Sequence, residues 1–263
     1  MEYETLLVER SEVLATVTLN RPAKRNAMNA RMLAEFDQLF TELREDLDTR
    51  FVIFTGAGTA FTSGADLSDI GVESTIPPQH AMRVRQLSGH DFIRSLENLE
   101  QITIAAVNGF ALGAGLVLAM GCDFRIASQS ASFGIPEANI GIFFTWGCTP
   151  RLTRLIGPAK AKELIMTCDR IDAGEALSIG LVNKVVPPEQ LMEAAHELVD
   201  KIAARGPLAI RIAKKIVNAA AAPNFGDLYI CEPELVERLF VSPEPAEGIR
   251  AFIEKRKPKF TGR

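Results

Sequence analysis

The chain has 263 residues, 47% of them hydrophobic, enough apolar material for one large domain or two small ones. An excess of 33 Asp and Glu over 29 Lys and Arg leaves a formal charge of −4, which excludes nucleic-acid binding by bulk electrostatics because phosphate neutralisation needs a clustered cationic surface. Four cysteines without a C-x-x-C spacing and three histidines give neither a disulfide framework nor a zinc site, and the acidic opening MEYETLLVER has no secretory or transit character, so a reducing cytoplasmic setting is expected.

The segment YETLLVERSEVLATVTLN alternates apolar and polar residues and predicts an antiparallel hairpin over residues 3–19, turning at ERSE. Asn29 is placed to cap a helix in which Met32, Leu33, Phe36, Leu39, Phe40, Leu43 and Leu47 recur at helical spacing. The strand FVIFTG follows. A Gly/Ser/Thr-rich loop over 56–66, a helix near Gln79 to Leu99, the strand ITIAAV, a helix from Gly113 and the strand DFRIAS complete a second cycle. After that the sheet thins: ASFGIPEANIGIFF reads as loop, and from Pro150 the patterns are helical, with LVNKVV the one clear strand. Pro187, Pro207, Pro223, Pro233, Pro243 and Pro245 divide the tail into short helices. The fold class is therefore α/β, with an α/β core over residues 1–200 and a helical, Ala- and Ile-rich region over 201–263 that exceeds what one core needs to cover.

One stretch, NGFALGAGLVLAMGCDF over residues 108–124, sets glycines into an apolar run. The uncharged segment from Ile102 to Cys122 is long enough to span a bilayer. Its β-branched start, Asn108 and the glycines at 109, 113, 115 and 121 make it a strand, a turn and a short helix instead. Glycine where a strand becomes a helix lets a ligand approach the backbone and leaves the first helical N–H groups unpaired, which is an anion site. The P-loop pattern is absent and GFALGAGLV lacks the third glycine of a dinucleotide fingerprint. A developing oxyanion is the other possibility, for which two converging N–H groups suffice. Ala114 in GAG is one candidate donor, and FTSGADL, with Gly64 and Ala65 ahead of Asp66, offers a second; each loop alone reads equally as a turn. RPAKRNAMN, with Arg21, Lys24 and Arg25, and the tail EKRKPKFTGR are local cationic patches suited to a phosphorylated ligand.

Together AFTSGADL, AAVNGFALGAGLVLAMGCDFRIAS, FGIPEANIGI, RPAKRNAMN, AGEALSIGLVNKVVP and FIEKRKPKF occur in the order and spacing of the enoyl-CoA hydratase/isomerase family, and the chain resembles members of this crotonase superfamily over essentially its whole length. The resemblance implies a crotonase-like spiral of strand–strand–helix units with a helical C-terminal trimerisation region. It implies a coenzyme A thioester as substrate, no permanently bound cofactor or metal, a homotrimer or dimer of trimers, and no nucleic-acid or membrane partner. Position by position, it makes the N–H groups of Ala65 and Ala114 the donors to the thioester oxygen. It sets Ala27, Ala65, Asp66 and Leu67 on the adenine side, Lys24 and Arg25 at the coenzyme A phosphates, and Lys257 of the tail at the cofactor of a neighbouring subunit.

The sequence also departs from that family. Its hydratases carry two glutamates that orient one water; Glu137 matches the second, whereas the first position is Val117. Where hydratases have a small Gly-Ala pair this chain has Thr145 and Trp146, preceded by Phe143 and Phe144. Walls of Val117, Phe143, Thr145 and Trp146 imply a dry pocket, in which desolvation raises the Glu137 carboxyl toward the strength of a base for a thioester α-proton. The expectation is an acyl-CoA enzyme with Glu137, Ala65 and Ala114 as its catalytic set, stabilising an enolate and moving a proton between carbons as a double-bond isomerase does. Its alternatives are a hydratase, of a ring-shaped enoyl-CoA among others, that uses another group in place of the missing glutamate, and a non-catalytic acyl-CoA-binding scaffold. Trp146 reads equally as core, Asp123 as ordering a turn, and His80, His90 and Cys148 carry no assignment.

Overall fold

The computed structural model describes residues 3–67, 79–221, 235–236 and 239–260, of which 79–87 by backbone alone. The N-terminal hairpin forms: β1 (Leu6–Ser11) pairs antiparallel with β2 (Leu14–Leu19). It turns at Glu12 and Val13 rather than at ERSE, because Glu12 takes the left-handed conformation (φ 44°) that a tight turn needs. Helix α1 (Ala30–Glu45) is capped by Asn29, whose side chain accepts from the Met32 N–H at 2.9 Å. It buries Met32, Phe36, Leu39, Phe40 and Leu43 as the spacing predicts. Leu47 does not join them. The Asp46 carboxylate accepts from the N–H groups of Asp48 and Thr49 and from the Thr49 hydroxyl, an Asx-type turn that stops the helix and leaves Leu47 exposed.

Strands β3 (Phe51–Gly56), β5 (Ile102–Val107), β7 (Phe124–Ser128) and β10 (Lys184–Val186) extend the hairpin in parallel, giving the order β1-β2-β3-β5-β7-β10 among the described residues. Both faces of this sheet are covered, so its central strands read as continuous apolar runs. Val52, Phe54, Ala105 and Val107 face α1, α2 (Gln79–Glu97) and α3 (Ala114–Gly121). Phe51, Ile53, Ile102, Ile104 and Ile126 meet Leu191, Ala194, Ala195 and Val199 of a helix discussed below. The apolar stretch 102–122 is thus β5, a turn and α3, and no helix among the described residues is long and apolar enough to cross a membrane.

A second sheet was not legible beforehand. β4 (Ala60–Thr62), β6 (Phe110–Leu112) and β8 (Ser132–Gly134) run parallel, and β9 (Ile171–Asp172) joins antiparallel. Two of these lie in segments expected to be loops, 56–66 and ASFGIPEANIGIFF, and β9 is a strand after Pro150 besides LVNKVV. Runs of two or three residues are too short to show a period of two, and they are strands only through partners distant in sequence.

Helices α4 (Cys148–Ile156), α5 (Pro158–Thr167), α6 (Ala173–Ser178), α7 (Leu191–Ala203), α8 (Pro207–Ala221) and α9 (Glu244–Ile253) make up the rest. Pro207 and Pro245 occupy first-turn positions, where a missing N–H costs nothing; Pro223 and Pro233 lie outside the described residues. Helix α8 has no buried residue and is held by Lys214, whose ammonium donates to Asp123 Oδ2 (2.8 Å) and to the Gln101 carbonyl (2.7 Å). Asp123 therefore does more than order a turn: it also accepts from the Thr103 N–H and hydroxyl and ties β5, β7 and α8 together.

Candidate active site

β4, β6 and β8 end side by side, and each chain end leads into a residue singled out above: Ala65 after β4, Ala114 directly after β6, Glu137 after β8. Gly64 sits at φ +96°, and a Cβ there would lie 2.7 Å from the Leu112 carbonyl and 3.5 Å from the Ala114 nitrogen. Only a residue without a side chain brings the two turns this close. Around Ala65 the backbone pairs with Met28: the Met28 N–H donates to Gly64 O (2.8 Å) and the Asp66 N–H to Met28 O (3.0 Å). This pattern turns the Ala65 N–H away from Met28. Ala114 opens α3 behind Gly113 (φ 51°, ψ −118°). Among the described residues neither the Ala65 nor the Ala114 N–H donates to a protein acceptor.

Glu137 opens the short 3-10 turn Glu137–Ile140. Its Oε1 is 2.6 Å from where a Cβ on Gly113 would stand, so the carboxyl lies directly over the turn that presents Ala114. Oε2 is buried and has no hydrogen-bond partner among the described residues. Burial pushes the carboxyl from the ordinary 4.5 up to about 7, partly offset by a hydrogen bond from its own backbone.

A cavity of about 1440 Å³ joins these groups. Lys24, Arg25, Ala27, Asp66 and Leu67 line it with Ala65, Ala114 and Glu137, and Val117, Phe143, Phe144, Thr145 and Trp146 form further wall. Val117 is buried and apolar. At the basic part, Arg21 pairs with Asp66 (2.8 Å), and the buried Asn26 side chain donates to the carbonyls of Ala57 and Ala60. These contacts fix RPAKRNAMN against FTSGADL. Lys24 and Arg25 are exposed and make no ion pair among the described residues; the Arg25 guanidinium stands 6.0 Å from the Phe110 ring centroid.

Lys257 is elsewhere. It sits exposed on the tail beyond α9, where Glu247 receives Arg256 bidentately and the Lys259 N–H. Cavity residues that the sequence did not single out as site residues include Asp37 of α1, Ser88, Asp91 and Phe92 of α2, and Arg170. The α1 and α2 residues were legible only as parts of helices. Arg170 precedes a two-residue strand and packs over Gly134, a placement set by pairing without a local signature. His90 is buried within α2, and the His80 side chain lies outside the described residues. Cys148 is fully buried, its thiol 3.6 Å from the Trp146 carbonyl.

Two backbone N–H groups that make no hydrogen bond among the described residues, near a buried carboxyl, are groups able to polarise a carbonyl and move a proton at a neighbouring carbon. Comparison with known proteins points the same way. Residues 9–263 match the family model described as enoyl-CoA hydratase/isomerase. A short-chain-enoyl-CoA hydratase of Clostridium acetobutylicum is 42% identical over 98% of this chain and 97% of its own length. A crotonyl-CoA hydratase of Syntrophomonas wolfei is 40% identical over 99% of each. Among solved structures, carnitinyl-CoA hydratase from Mycobacterium avium superposes with a TM-score of 0.85 at 32% identity, covering 98% of this chain and 99% of that one.

Proposed function

We propose that this chain, which belongs to the enoyl-CoA hydratase/isomerase family, binds an enoyl-CoA with its thioester oxygen between the N–H groups of Ala65 and Ala114 and shifts the double bond with Glu137 as its single acid and base. The Glu137 carboxylate takes a proton from Cα of a 3-enoyl-CoA, the electron pair delocalises as a dienolate whose oxygen the two N–H groups hold, and the same carboxyl returns the proton to Cγ, giving the 2-enoyl-CoA. The positive end of α3 adds to the oxyanion's stabilisation. One observation carries this reading: the carboxyl lying over the Ala114 turn is pushed up to about 7 by burial, and the same cavity has the apolar Val117 where a second glutamate would be needed to orient water. A second reading, hydration of the 2-enoyl-CoA, is favoured by the names of the relatives and requires another group to do that orienting. Incubation with 3-enoyl-CoA and 2-enoyl-CoA in D₂O separates them. The isomerase reading expects conversion of 3-enoyl-CoA to 2-enoyl-CoA with little 3-hydroxyacyl product, deuterium entering Cα or Cγ wherever the carboxyl exchanges its proton before returning it; rapid hydration of crotonyl-CoA replaces it with the second reading, and neither isomerisation nor hydration above the protein-free rate defeats both.

Coenzyme A phosphates are assigned to Lys24 and Arg25, exposed cations that line the cavity. Reversing both charges (Lys24→Glu with Arg25→Glu) is expected to weaken coenzyme A binding roughly 10- to 100-fold, as for loss of charged hydrogen bonds, and to flatten its salt dependence. Calorimetry at two ionic strengths checks this, and unchanged affinity and salt slope refute it. Ala27, Asp66 and Leu67 supply the adenine side.

Helix α8 presents Leu208, Ile212, Ile216 and Val217 to solvent, while Arg211, Lys214 and Lys215 pin its other side to Glu100 and Asp123. A second copy of the chain is the proposed cover for this stripe, in an assembly of three or six that brings Lys257 toward a neighbour's cofactor. Light scattering of Ile212→Asp against the wild type tests it: loss of a trimer or hexamer is expected, and a monomeric wild type ends the proposal.

A further inference from the structure

We infer that Trp146 and Gly89 act as a matched pair that sets how long an acyl chain the cavity accepts. Trp146 is the only tryptophan of the chain, and it occupies the left-handed region at φ 61°, which bulky residues seldom adopt. Its indole reaches across to α2. A Cβ on Gly89 would stand 2.1 Å from both Cδ1 and Nε1 and 2.3 Å from Cγ, so the ring lies in a notch that exists because residue 89 has no side chain. On the same helix Phe92 meets the ring at 6.0 Å between centroids. Trp146 remains half-buried, and with Phe92, Ser88 and Asp91 it lines the cavity that holds Glu137. A residue serving only as core would be fully buried and would need no strained backbone; this one turns part of its ring toward the cavity.

The consequence concerns the part of the substrate beyond the reacting carbons, and it rests on the reading that the cavity takes an acyl thioester. The indole takes up room between α2 and the loop over 143–146 that methylenes would otherwise fill. Replacing it by the glycine that its backbone conformation favours reopens the notch. Filling residue 89 instead leaves the indole without a seat and drives it toward the acyl chain or out of the wall.

The test is a set of saturated acyl-CoA ligands of four, six, eight and ten carbons, with coenzyme A alone as reference, titrated by calorimetry in the wild type, Trp146→Gly, Gly89→Ala and the double variant, and by the emission of Trp146 in the wild type and Gly89→Ala. Emission of the wild type is expected to change with acyl-CoA and not with coenzyme A. Trp146→Gly is expected to raise the ratio of ten-carbon to four-carbon affinity about tenfold or more, at roughly fourfold per newly buried methylene. Gly89→Ala is expected to lower affinity for every acyl length and shift the emission of the free protein, and Trp146→Gly in the same chain is expected to restore binding. A chain-length profile unchanged by Trp146→Gly, or a Gly89→Ala variant with wild-type binding and emission, overturns the pairing while leaving acyl-CoA binding intact. Failure of the wild type to bind any acyl-CoA removes the underlying reading as well.

Discussion

Glu137→Gln is expected to lower kcat by about 10²–10⁴-fold, the usual contribution of a positioned acid or base, while acyl-CoA still binds. Glutamine keeps the shape over Gly113 and the backbone donors, so the loss falls on the proton-transfer step. The pH profile supplies a second signature. Proton abstraction needs the carboxylate, and burial places its pKa at about 7 in the free protein, so kcat/KM should rise through neutrality and level off above it. The variant's residual rate should lack that inflection. Deuterium exchange at the acyl carbons, followed from pH 5 to 9, measures both quantities. Equal exchange by wild type and variant would make Glu137 structural and favour a scaffold.

The same carboxyl carries a stability cost of opposite pH sense. In the unfolded chain it releases its proton near 4.5 and in the folded protein at about 7, so between these values the folded state holds more protons. Its contribution to stability is then complete below 4.5 and is lost as the pH rises to 7, amounting to at most about 3 kcal/mol. Glu137→Gln has no such slope. Chemical denaturation should therefore find the variant gaining on wild type from pH 5 to 8 and holding its lead above that.

How far the fold was readable depended on the length over which a pattern could develop. Helix α1 was legible to its cap because Asn29 and five buried residues repeat over sixteen positions, and β3 and β5 were legible because strands buried on both faces are apolar throughout. β4, β6 and β8 were not, being three residues each, yet these short parallel strands bring Gly64, Gly113 and Glu137 together. In sequence the glycines alone read equally as turns, and only the family resemblance assigned donors and a carboxyl to them; at 64 and 113 the chain gives up a side chain so that backbone and carboxyl can crowd together, at 2.7 and 2.6 Å from the absent Cβ positions. Gly89 follows the same logic but sits inside a helix, where a glycine carries no local sign that a tryptophan more than fifty residues away occupies its place. Arg170 and the α1 and α2 walls face the cavity through tertiary packing alone.

Ala114→Pro is expected to reduce kcat/KM by about 10²–10³-fold, the cost of one lost oxyanion donor, with little change in stability. A backbone donor cannot ordinarily be removed by substitution, but Ala114 is the first residue of α3, the position at which proline is tolerated because the N–H has no helical acceptor. Among the described residues no protein acceptor loses its donor, and the Val117 N–H still reaches Gly113 O (3.0 Å). The restriction that proline places on the residue before it comes from clashes with that residue's N–H and Cβ, and Gly113 lacks the Cβ. Proline's ring also sits where the thioester oxygen would approach, so binding of coenzyme A alone is the needed control: it should persist, since its contacts are assigned to Lys24, Arg25 and the Asp66 loop. Ala114→Gly keeps the N–H and should stay close to wild type in rate. The two responses together separate an electrostatic role from mere crowding at the helix start. A proline variant that folds, binds coenzyme A and turns over at the wild-type rate would mean that Ala114 holds no oxyanion, and the enolate mechanism would then lack one of the two donors on which it depends.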